Sequence, residues 1–485
     1  MGIRILLAIV LLSLGMKVGA QSLVSSSQLN RFQISLIGYD YYSAMGLLEY
    51  LNNSGIDISG INWEAGYVET IVSTSDIALL TSYGLNGQIV ESNALGTENA
   101  IEADDRYLNP KEVEAILTQI ANSAPELTQL NVIGKSFLGE PIYGLLLSTT
   151  PDVNNPSYHT KPSILIDGLH HAREVITPEI SIQFAWSLLA AAYAENEFAI
   201  ELIKRWNVWI VPMLNVDGSN IVWSKNSYWR KNARANGSRT FGVDVNRNYN
   251  YQFGKCRGSS GMKSSQTYRG EGPASEPETQ ALIGLAEAIK PAAYISYHSF
   301  SELVLIPYGC TGSKTGEHET LTNLAKEFAL QLPTENGRGH YKAGTAWEIL
   351  YGVDGDSMSH MFANYGAVSI TLEVGTEFHP PYSKRDNLVN THTNALLWLF
   401  EKMSSNMFTL YIDNQFGFVN EPALIEVLPI EHTQGERPFA TNRGNYFHKV
   451  LMPGEYLIRV VTRDGRKAEK RLTMTGRPQS MTISL

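Results

Sequence analysis

Residues 168–174 read Gly168-Leu169-His170-His171-Ala172-Arg173-Glu174 and directly follow a short apolar run at 163–167. The apolar run is typical of a buried strand. Thr177-Pro178, just after the stretch, predicts a helix start with Thr177 as the N-cap. The stretch is therefore predicted to form a turn at the end of a central strand, where α/β proteins commonly place their chemistry. His171 and Glu174 are three residues apart, so an imidazole and a carboxylate could share one metal, and zinc accepts both ligand types.

Two further predicted strand ends supply the remaining parts of a metal site. The apolar run 293–297 ends at His298, which would complete a His-Glu-His set and leave one position open on a catalytic zinc. A second run ends at Thr371-Leu372-Glu373. A glutamate on an apolar strand is costly unless it has a role or a partner. Beside a water activated by zinc, Glu373 can act as the general base and then pass the proton to a leaving amine.

Strands alternate with helices from Tyr107 to Lys402, which predicts an α/β domain with a mixed, largely parallel sheet and helices on both faces. Before it, residues 32–92 predict a small α/β unit of three strands and two helices, followed by a polar connector, 92–105. After Ser405 the chain becomes strand-rich with turn residues between the strands, which predicts a small all-β sandwich.

The first 20 residues are typical of a secretory signal peptide. Arg4 gives a positive start, residues 5–14 are an apolar core, and Val18-Gly19-Ala20 is a small-residue cleavage site. The apolar run is short for a membrane anchor, and no later segment is apolar enough to span a bilayer. We therefore expect a secreted or periplasmic protein without a membrane span.

The charge distribution indicates which classes of partner the protein could bind, and the cysteines indicate its redox compartment. The net charge is −10, and residues 32–105 contain eleven acidic residues and no Lys or Arg. The acidity belongs to that one segment, so nothing indicates nucleic-acid binding. The chain has two cysteines, Cys256 and Cys310, which could form one disulfide in an oxidising compartment.

Five segments, taken in chain order, resemble the motifs of zinc metallocarboxypeptidases of the carboxypeptidase A and B type. They are His171-Ala172-Arg173-Glu174, Tyr228-Trp229-Arg230-Lys231-Asn232, Gly242-Val243-Asp244-Val245-Asn246-Arg247-Asn248, His298-Ser299-Phe300 and Leu372-Glu373. The likeness extends from about residue 107 to 402. It implies hydrolysis of the C-terminal peptide bond of peptides and proteins by a water that zinc and glutamate activate.

The resemblance also implies a role for each matching residue. One Zn²⁺ would be held by His171, Glu174 and His298, with Glu373 as the general base. Arg230 would stabilise the oxyanion of the tetrahedral intermediate. The remaining residues would bind substrate: Asn246 and Arg247 at its terminal carboxylate, Tyr351 as a cap, Arg173 at an outer subsite and Met358 in the side-chain pocket. His170 lies beside the ligand His171, but only His171 has the family spacing.

The preferred side chain of the last substrate residue stays open at this point. Met358, with Gly309, Leu350 and Thr371 as neighbours, would favour apolar or aromatic residues. Asp354 and Asp356 lie nearby, and a carboxylate that reached into the pocket would favour Lys or Arg.

The resemblance extends to the flanking units. After the predicted signal peptide at 1–20, it implies an inhibitory pro-domain with its connector at 21–105, the catalytic domain at 106–404 and a transthyretin-like β-domain at 405–485. The likeness of the last unit is carried by Gly444-Asn445-Tyr446 and Leu451-Met452-Pro453-Gly454-Glu455-Tyr456. The acidic pro-domain would dock over a funnel that contains Arg173, Arg230 and Arg247. Activation would then require a cut in the connector, at or before Arg106.

The same residues leave two alternative functions. The first is a zinc hydrolase of the same fold that acts on peptidoglycan peptides or acylated amino acids. Intact Arg230, Asn246, Arg247 and Tyr351 favour ordinary C-terminal peptides instead. The second is a non-catalytic peptide-binding protein, which a missing Glu373 would have supported; Glu373 is present.

Overall fold

The computed structural model of the 485-residue chain describes residues 29–91, 103–237, 240–413 and 422–485. The predicted signal peptide and most of the predicted connector, 92–102, lie outside the described residues. The described parts form an N-terminal α/β unit, a large central α/β domain and a C-terminal β-domain.

The N-terminal unit is a four-stranded antiparallel sheet of order β2-β3-β1-β4 with two helices. Its elements are β1 (Leu29–Ser35), α1 (Tyr41–Asn53), β2 (Asp57–Asn62), β3 (Tyr67–Ser73), α2 (Thr74–Ser82) and β4 (Gly87–Glu91). The sequence predicted all of these except β2, whose Asp, Ser, Gly and Asn residues are poor strand formers. The unit begins before Phe32 and so contains one cation, Arg31, which pairs with Glu69 and Glu91.

The central domain contains an eight-stranded mixed sheet of order β11-β10-β12-β9-β7-β8-β6-β5. The strands are β5 (Thr128–Lys135), β6 (Pro141–Leu147), β7 (Ser163–Gly168), β8 (Asn207–Val211), β9 (Ala293–His298), β10 (Leu303–Ile306), β11 (Lys342–Thr345) and β12 (Val368–Glu373). The four middle strands, β12, β9, β7 and β8, run parallel to one another. Because helices cover this middle, its strands are continuous apolar runs that are buried on both faces.

Helices pack against both faces of this sheet, and all of them except the short helix at 346–349 contribute to one continuous core. They are α3 (Pro110–Ser123), α4 (Ile176–Tyr193), α5 (Glu197–Arg205), α6 (Val216–Val222), α7 (Pro277–Ile289), α8 (His318–Ala329), α9 (Ala346–Ile349), α10 (Ser357–Tyr365) and α11 (Arg385–Ser405). The fold class predicted from the sequence is confirmed.

The predicted helix start at Thr177 was wrong in detail. Helix α4 begins at Ile176, so Thr177 lies inside it and does not cap it. Instead, the Thr177 hydroxyl accepts a hydrogen bond from the Leu169 N–H at 3.0 Å and donates to the Glu174 carbonyl at 2.9 Å, which fixes the turn after β7. The segment Ser275-Glu276-Pro277-Glu278 before α7 has the pattern of a capping box but does not form one, because Glu278 accepts from the Phe137 N–H and from Asn232 instead.

The C-terminal domain is a sandwich of a three-stranded sheet, β16-β13-β19, and a four-stranded sheet, β15-β14-β17-β18. Its strands are β13 (Met407–Asp413), β14 (Leu424–Leu428), β15 (Phe439–Ala440), β16 (Tyr446–Val450), β17 (Gly454–Val461), β18 (Lys467–Met474) and β19 (Gln479–Ser484). The predicted all-β character is confirmed.

The β-domain is joined to the central domain by buried polar and apolar contacts. The Lys449 ammonium, 3% exposed as a residue, donates to Glu317 at 2.8 Å and to the Gly366 carbonyl at 3.0 Å. Gly366 ends α10 with a positive φ of 66°, and the Phe439 ring lies where its side chain would be. Met407 and Val450 belong to the same apolar core as the large sheet.

Two further expectations can be compared with the structure. Cys256 and Cys310 form a disulfide, with Cα atoms 5.6 Å apart. Among the residues that the structure describes, none of the helices combines the length and the apolar character that crossing a bilayer requires.

Candidate active site

Three adjacent parallel strands bring the predicted metal-site residues to one edge of the large sheet. Glu373 and His298 are register partners at the ends of β12 and β9. Next to β9, strand β7 ends at Gly168, which is the register partner of Tyr297. The turn that follows β7 then places His171 and Glu174 beside His298, so the carboxyl ends of the strands converge as the sequence predicted.

His171, Glu174 and His298 form a buried cluster that could hold a metal ion. The His171 Nδ1 is 2.7 Å from Glu174 Oε1, the His298 Nδ1 is 3.1 Å from Glu174 Oε2, and the two Nδ1 atoms are 3.2 Å apart. Two ring nitrogens and a carboxylate that face one another at these distances are a donor set that suits zinc. Both oxygens of the buried Glu174 carboxylate thus face ring nitrogens, an arrangement in which a cation could be bound between the three side chains. The residues therefore fit the implied zinc.

Asp244 orients two functional side chains at once. Its Oδ1 is 3.2 Å from Nε2 of His171, and its Oδ2 accepts hydrogen bonds from Nε and Nη2 of Arg230 at 3.1 and 2.9 Å. Such a carboxylate behind a ligating histidine fixes the orientation of the ring and its tautomer. Burial raises the pKa of Asp244, but the charges of Arg230, Arg247 and His171 outweigh it and hold the pKa well below its ordinary value.

His170 belongs to the layer behind the metal cluster. It is fully buried, its Nε2 lies 2.8 Å from the Tyr249 hydroxyl, and its ring stacks on that of His298 with centroids 5.3 Å apart. The group that could hold a metal includes His171 and not His170. His171 therefore faces the cluster, and His170 lies behind it.

Glu373 is half-buried beside the metal cluster. Burial and the neighbouring Glu174 carboxylate raise its pKa, and the charges of Arg230 and Arg247 act in the opposite direction. A raised pKa makes a carboxylate a better proton acceptor, which is what a general base requires.

The residues predicted to hold the terminal carboxylate of a substrate are also gathered here. Asn246 Nδ2 is 3.3 Å from Nε2 of His298, and its Oδ1 accepts from the Ser357 N–H at 2.9 Å. The Arg247 guanidinium is fixed by the carbonyls of Gly258 and Asn246, at 3.0 and 2.8 Å. Tyr351 is half-buried, close enough to Arg230 and Arg247 for their charges to oppose the rise in its pKa that burial causes.

Arg173 meets the N-terminal unit. Its Nη1 and Nη2 donate to the two carboxylate oxygens of Asp57 at 2.7 and 3.0 Å, and its guanidinium lies 4.3 Å from the centre of the Phe378 ring. Both side chains of the ion pair are almost completely buried. Burial raises the pKa of Asp57, but the charges of Arg173, Arg230 and His171 lower the pKa by more than burial raises it. The pKa of Asp57 is therefore below its ordinary value.

The N-terminal unit covers this edge of the central domain more widely. One apolar cluster combines residues of α1, β1, β2 and β3 with Leu303, Leu350, Val353 and Met358, and Tyr351 packs against it. The Trp63 indole N–H donates to the Ile349 carbonyl at 3.0 Å, and the Ile61 N–H donates to the Ser301 hydroxyl at 3.0 Å. Met358 of the predicted side-chain pocket is 3% exposed.

Two acids in this region received no role from the sequence. Asp244 lies inside a quoted motif, and its position as the single acidic residue of that motif, two residues before Asn246, was the available signal. Asp57 gave no such signal, because its partner Arg173 is 116 residues away and its strand was not predicted.

Comparison with known proteins places this geometry in a family. The model of the zinc carboxypeptidase family (peptidase M14) matches residues 113–395. Carboxypeptidase O of Bos taurus is 30% identical over 286 residues, which are 58% of this chain and 71% of the relative. Carboxypeptidase B2 of Rattus norvegicus is 32% identical over 275 residues, which are 56% of this chain and 63% of the relative. The chain thus spans less than two thirds of the rat protein.

Solved structures agree at the level of the fold. Carboxypeptidase A from Helicoverpa armigera has a TM-score of 0.64 at 20% identity and covers 78% of this chain and 97% of its own. Bovine thrombin-activatable fibrinolysis inhibitor, solved in complex with tick carboxypeptidase inhibitor, has a TM-score of 0.54 at 28% identity and covers 61% and 96%. Since the family model spans more than half of the 485 residues, the chain belongs to the zinc carboxypeptidase family of hydrolases.

Proposed function

We propose that this protein is an exported zinc carboxypeptidase that releases single amino acids from the C-termini of peptides and proteins and is made as a latent precursor. The observation that carries the proposal is the convergence of His171, Glu174 and His298 beside Glu373, which is the register partner of His298. A metal-ligand set and a carboxylate base at one sheet edge are what hydrolysis of an amide requires.

Each step of the proposed reaction is assigned to a residue of this edge. When bound by His171, Glu174 and His298, zinc supplies Lewis-acid chemistry and lowers the pKa of water. Glu373 takes the proton from the attacking water and passes it to the leaving amine. Arg230, held by Asp244, stabilises the negative charge that develops on the carbonyl oxygen.

Asn246 and Arg247 make the enzyme an exopeptidase in this proposal. They bind the substrate's terminal carboxylate, for which a guanidinium is well suited because its N–H groups match two carboxylate oxygens. Tyr351 covers the bound residue. The fixed position of the Arg247 guanidinium reduces the entropy lost on binding.

Latency is proposed from the position of the N-terminal unit. The Asp57 carboxylate binds the guanidinium of Arg173, the residue assigned to an outer subsite. The N-terminal unit also packs on Met358 and Tyr351. Arg106 is exposed at the end of the connector, where it pairs with Asp104 and stacks on Tyr382. Cleavage after Arg106, or earlier in the connector, would release the unit.

Export is proposed from the signal-like N-terminus, and the Cys256–Cys310 disulfide supports it. The structure describes no part of the signal segment. Expression with the native N-terminus, followed by N-terminal sequencing of the protein recovered outside the cytoplasm, tests the predicted cut before Gln21.

The exopeptidase activity is tested with matched peptides that differ only in a free or an amidated C-terminus. We expect the amide to lower kcat/KM by about 100-fold, since it removes the anion that Asn246 and Arg247 bind. Equal rates for both peptides would contradict the proposal. Faster hydrolysis of muropeptides than of ordinary peptides would favour the peptidoglycan alternative.

A further inference from the structure

Asp356 is a buried acid that the proposed reaction does not use. It is 4% exposed and precedes helix α10, where its Oδ1 accepts a hydrogen bond from the Ser359 N–H at 2.8 Å and so caps the helix. Its Oδ2 is buried and has no hydrogen-bond partner among the described residues. A carboxylate oxygen buried without a donor is costly, so it calls for a partner that the protein itself does not supply.

The neighbouring acid does not share this property. Asp354 Oδ2 accepts from the N–H groups of Cys256 and Gly258, at 2.9 and 3.1 Å, and its Oδ1 accepts from the Ser259 hydroxyl. Asp354 is therefore fully used in holding the loop next to the disulfide. Of the two acids that the sequence placed near the side-chain pocket, only Asp356 has an acceptor left over.

The free oxygen of Asp356 lies at the place where the last residue of a substrate would be bound. A β-carbon at position 309 would be only 2.9 Å from Oδ2, so the carboxylate reaches the backbone of Gly309, one of the predicted pocket positions. Ser357, the next residue along, donates its N–H to Asn246, which is assigned to the terminal carboxylate. Asp356 thus lies next to Gly309, which is assigned to the side chain of that last residue. Through Ser357 it also adjoins Asn246, which is assigned to its terminal carboxylate.

Helix capping alone does not account for an aspartate here. One oxygen is enough for a cap, and Ser or Thr would provide it without burying a second, charged oxygen. Burial raises the pKa of Asp356, although the charge of Arg247 acts in the opposite direction. Glycine at 309 also leaves the carboxylate uncovered, since any larger residue would meet both Oδ2 and the Val353 carbonyl.

We propose that Asp356 accepts the positively charged end of the substrate's last side chain, so that the enzyme prefers peptides that end in Lys or Arg. Met358, two residues on and buried, provides apolar surface for the methylene stem of such a side chain. This inference rests on the proposed carboxypeptidase function. It assigns the choice of substrate to a position other than Met358, whose side chain has no charge.

The test uses the zinc-loaded full chain, cleaved in its connector where activity requires it, and peptides that differ only in a last residue of Lys, Arg, Leu or Phe. We expect kcat/KM for Lys and Arg to exceed that for Leu and Phe by at least about 10-fold. In Asp356→Asn, which keeps the volume and the cap, the value for Lys and Arg should fall by about 100-fold, and that for Leu should change little.

Two further variants and one binding measurement separate charge recognition from folding. Asp356→Ser keeps a capping oxygen and should lose the Lys and Arg preference as Asp356→Asn does. Asp354→Asn removes the same charge nearby and should keep that preference. On a Glu373→Gln background, calorimetry should show tighter binding of the Lys-ending than of the Leu-ending peptide, and Asp356→Asn should abolish the difference without any need for turnover.

The outcomes distinguish this inference from the function on which it rests. Hydrolysis of Leu- or Phe-ending peptides that equals or exceeds that of Lys- and Arg-ending ones overturns the role of Asp356 and leaves the carboxypeptidase intact. An unchanged Lys-to-Leu ratio in both Asp356 variants does the same. Absence of hydrolysis for every free-acid peptide overturns both proposals.

Discussion

The Asp57 carboxylate and the Arg173 guanidinium form a two-bond ion pair between the N-terminal unit and the turn that bears the metal-site residues His171 and Glu174. Both side chains are buried, so water does not screen the pair as it would on the surface. Separation of the two units would return both charges to water. The ion pair therefore fixes where the N-terminal unit docks on the central domain, in addition to the attraction between the two charges.

Replacement of Asp57 by Asn should raise the residual activity of the uncleaved chain toward a large peptide. The Asn side chain keeps the size but loses the charge, so Arg173 would remain buried without a counterion. We expect the N-terminal unit to bind about 100-fold more weakly. Glu49→Gln, which removes an exposed acid of the same unit, is the matched control and should leave latency unchanged.

Equal activity of the full-length chain and of a chain cleaved after Arg106 would show that the unit is not an inhibitor. Salt should weaken inhibition by the unit more in wild type than in Asp57→Asn. If salt weakens it equally in both, the electrostatic attraction comes from other acids of the unit.

Acid should loosen the N-terminal unit through Asp57. Its pKa is lowered when the unit is docked, so the stabilisation is present above the undocked pKa of about 3.9 and is lost as pH falls through the docked pKa. The affinity of the cleaved unit for the rest of the chain, measured from about pH 6 to about pH 3, should fall more steeply in wild type than in Asp57→Asn. Parallel curves would mean that other groups, such as the metal ligands, cause the acid effect.

Glu373→Gln should bind zinc normally and lose nearly all turnover. The three metal-site residues remain, whereas the amide cannot accept the proton from water, so kcat should fall by about 1,000-fold or more. Zinc content after dialysis and kcat on one peptide are the two measurements. His298→Ala is the contrasting variant, because it should lose zinc as well; an active Glu373→Gln enzyme with full zinc occupancy would disprove the role of Glu373.

Loss of the disulfide should destabilise the central domain. Cys256 and Cys310 are 54 residues apart. Because the disulfide closes a loop of that length and so restricts the unfolded chain, it adds at most about 4 kcal/mol to the free energy of unfolding. The double variant Cys256→Ser/Cys310→Ser should therefore show a lower midpoint of unfolding by denaturant. A thiol titration of the unfolded, unreduced wild-type protein should find no free thiol, and two free thiols would contradict the pairing.

The sequence was most informative where local pattern and tertiary environment agree. Strands β7 and β9 are buried on both faces, so they are uninterrupted apolar runs and were predicted nearly to the residue. The metal cluster was predicted because its residues follow these strands directly. In contrast, β2 contains Asp57, Ser59 and Gly60, and it forms because it pairs with β3 and packs on the central domain.

Other details depend on contacts that no local pattern encodes. Thr177 is of a residue type that commonly caps helices, but in the fold its hydroxyl accepts a hydrogen bond from the turn after β7. The pairing of Asp57 with Arg173, and the free oxygen of Asp356, follow from the assembly of segments that are distant in the chain.

The shared core of the central domain and the β-domain has a consequence for cooperativity. Without residues 406–485, Glu317 would lose Lys449, its buried counterion, and the end of α10 would lose the ring of Phe439 that covers Gly366. Met407 and Val450 would leave a gap in the main core. The two domains should therefore unfold in a single calorimetric transition, and a chain that ends at Ser405 should melt at a lower temperature than the intact one.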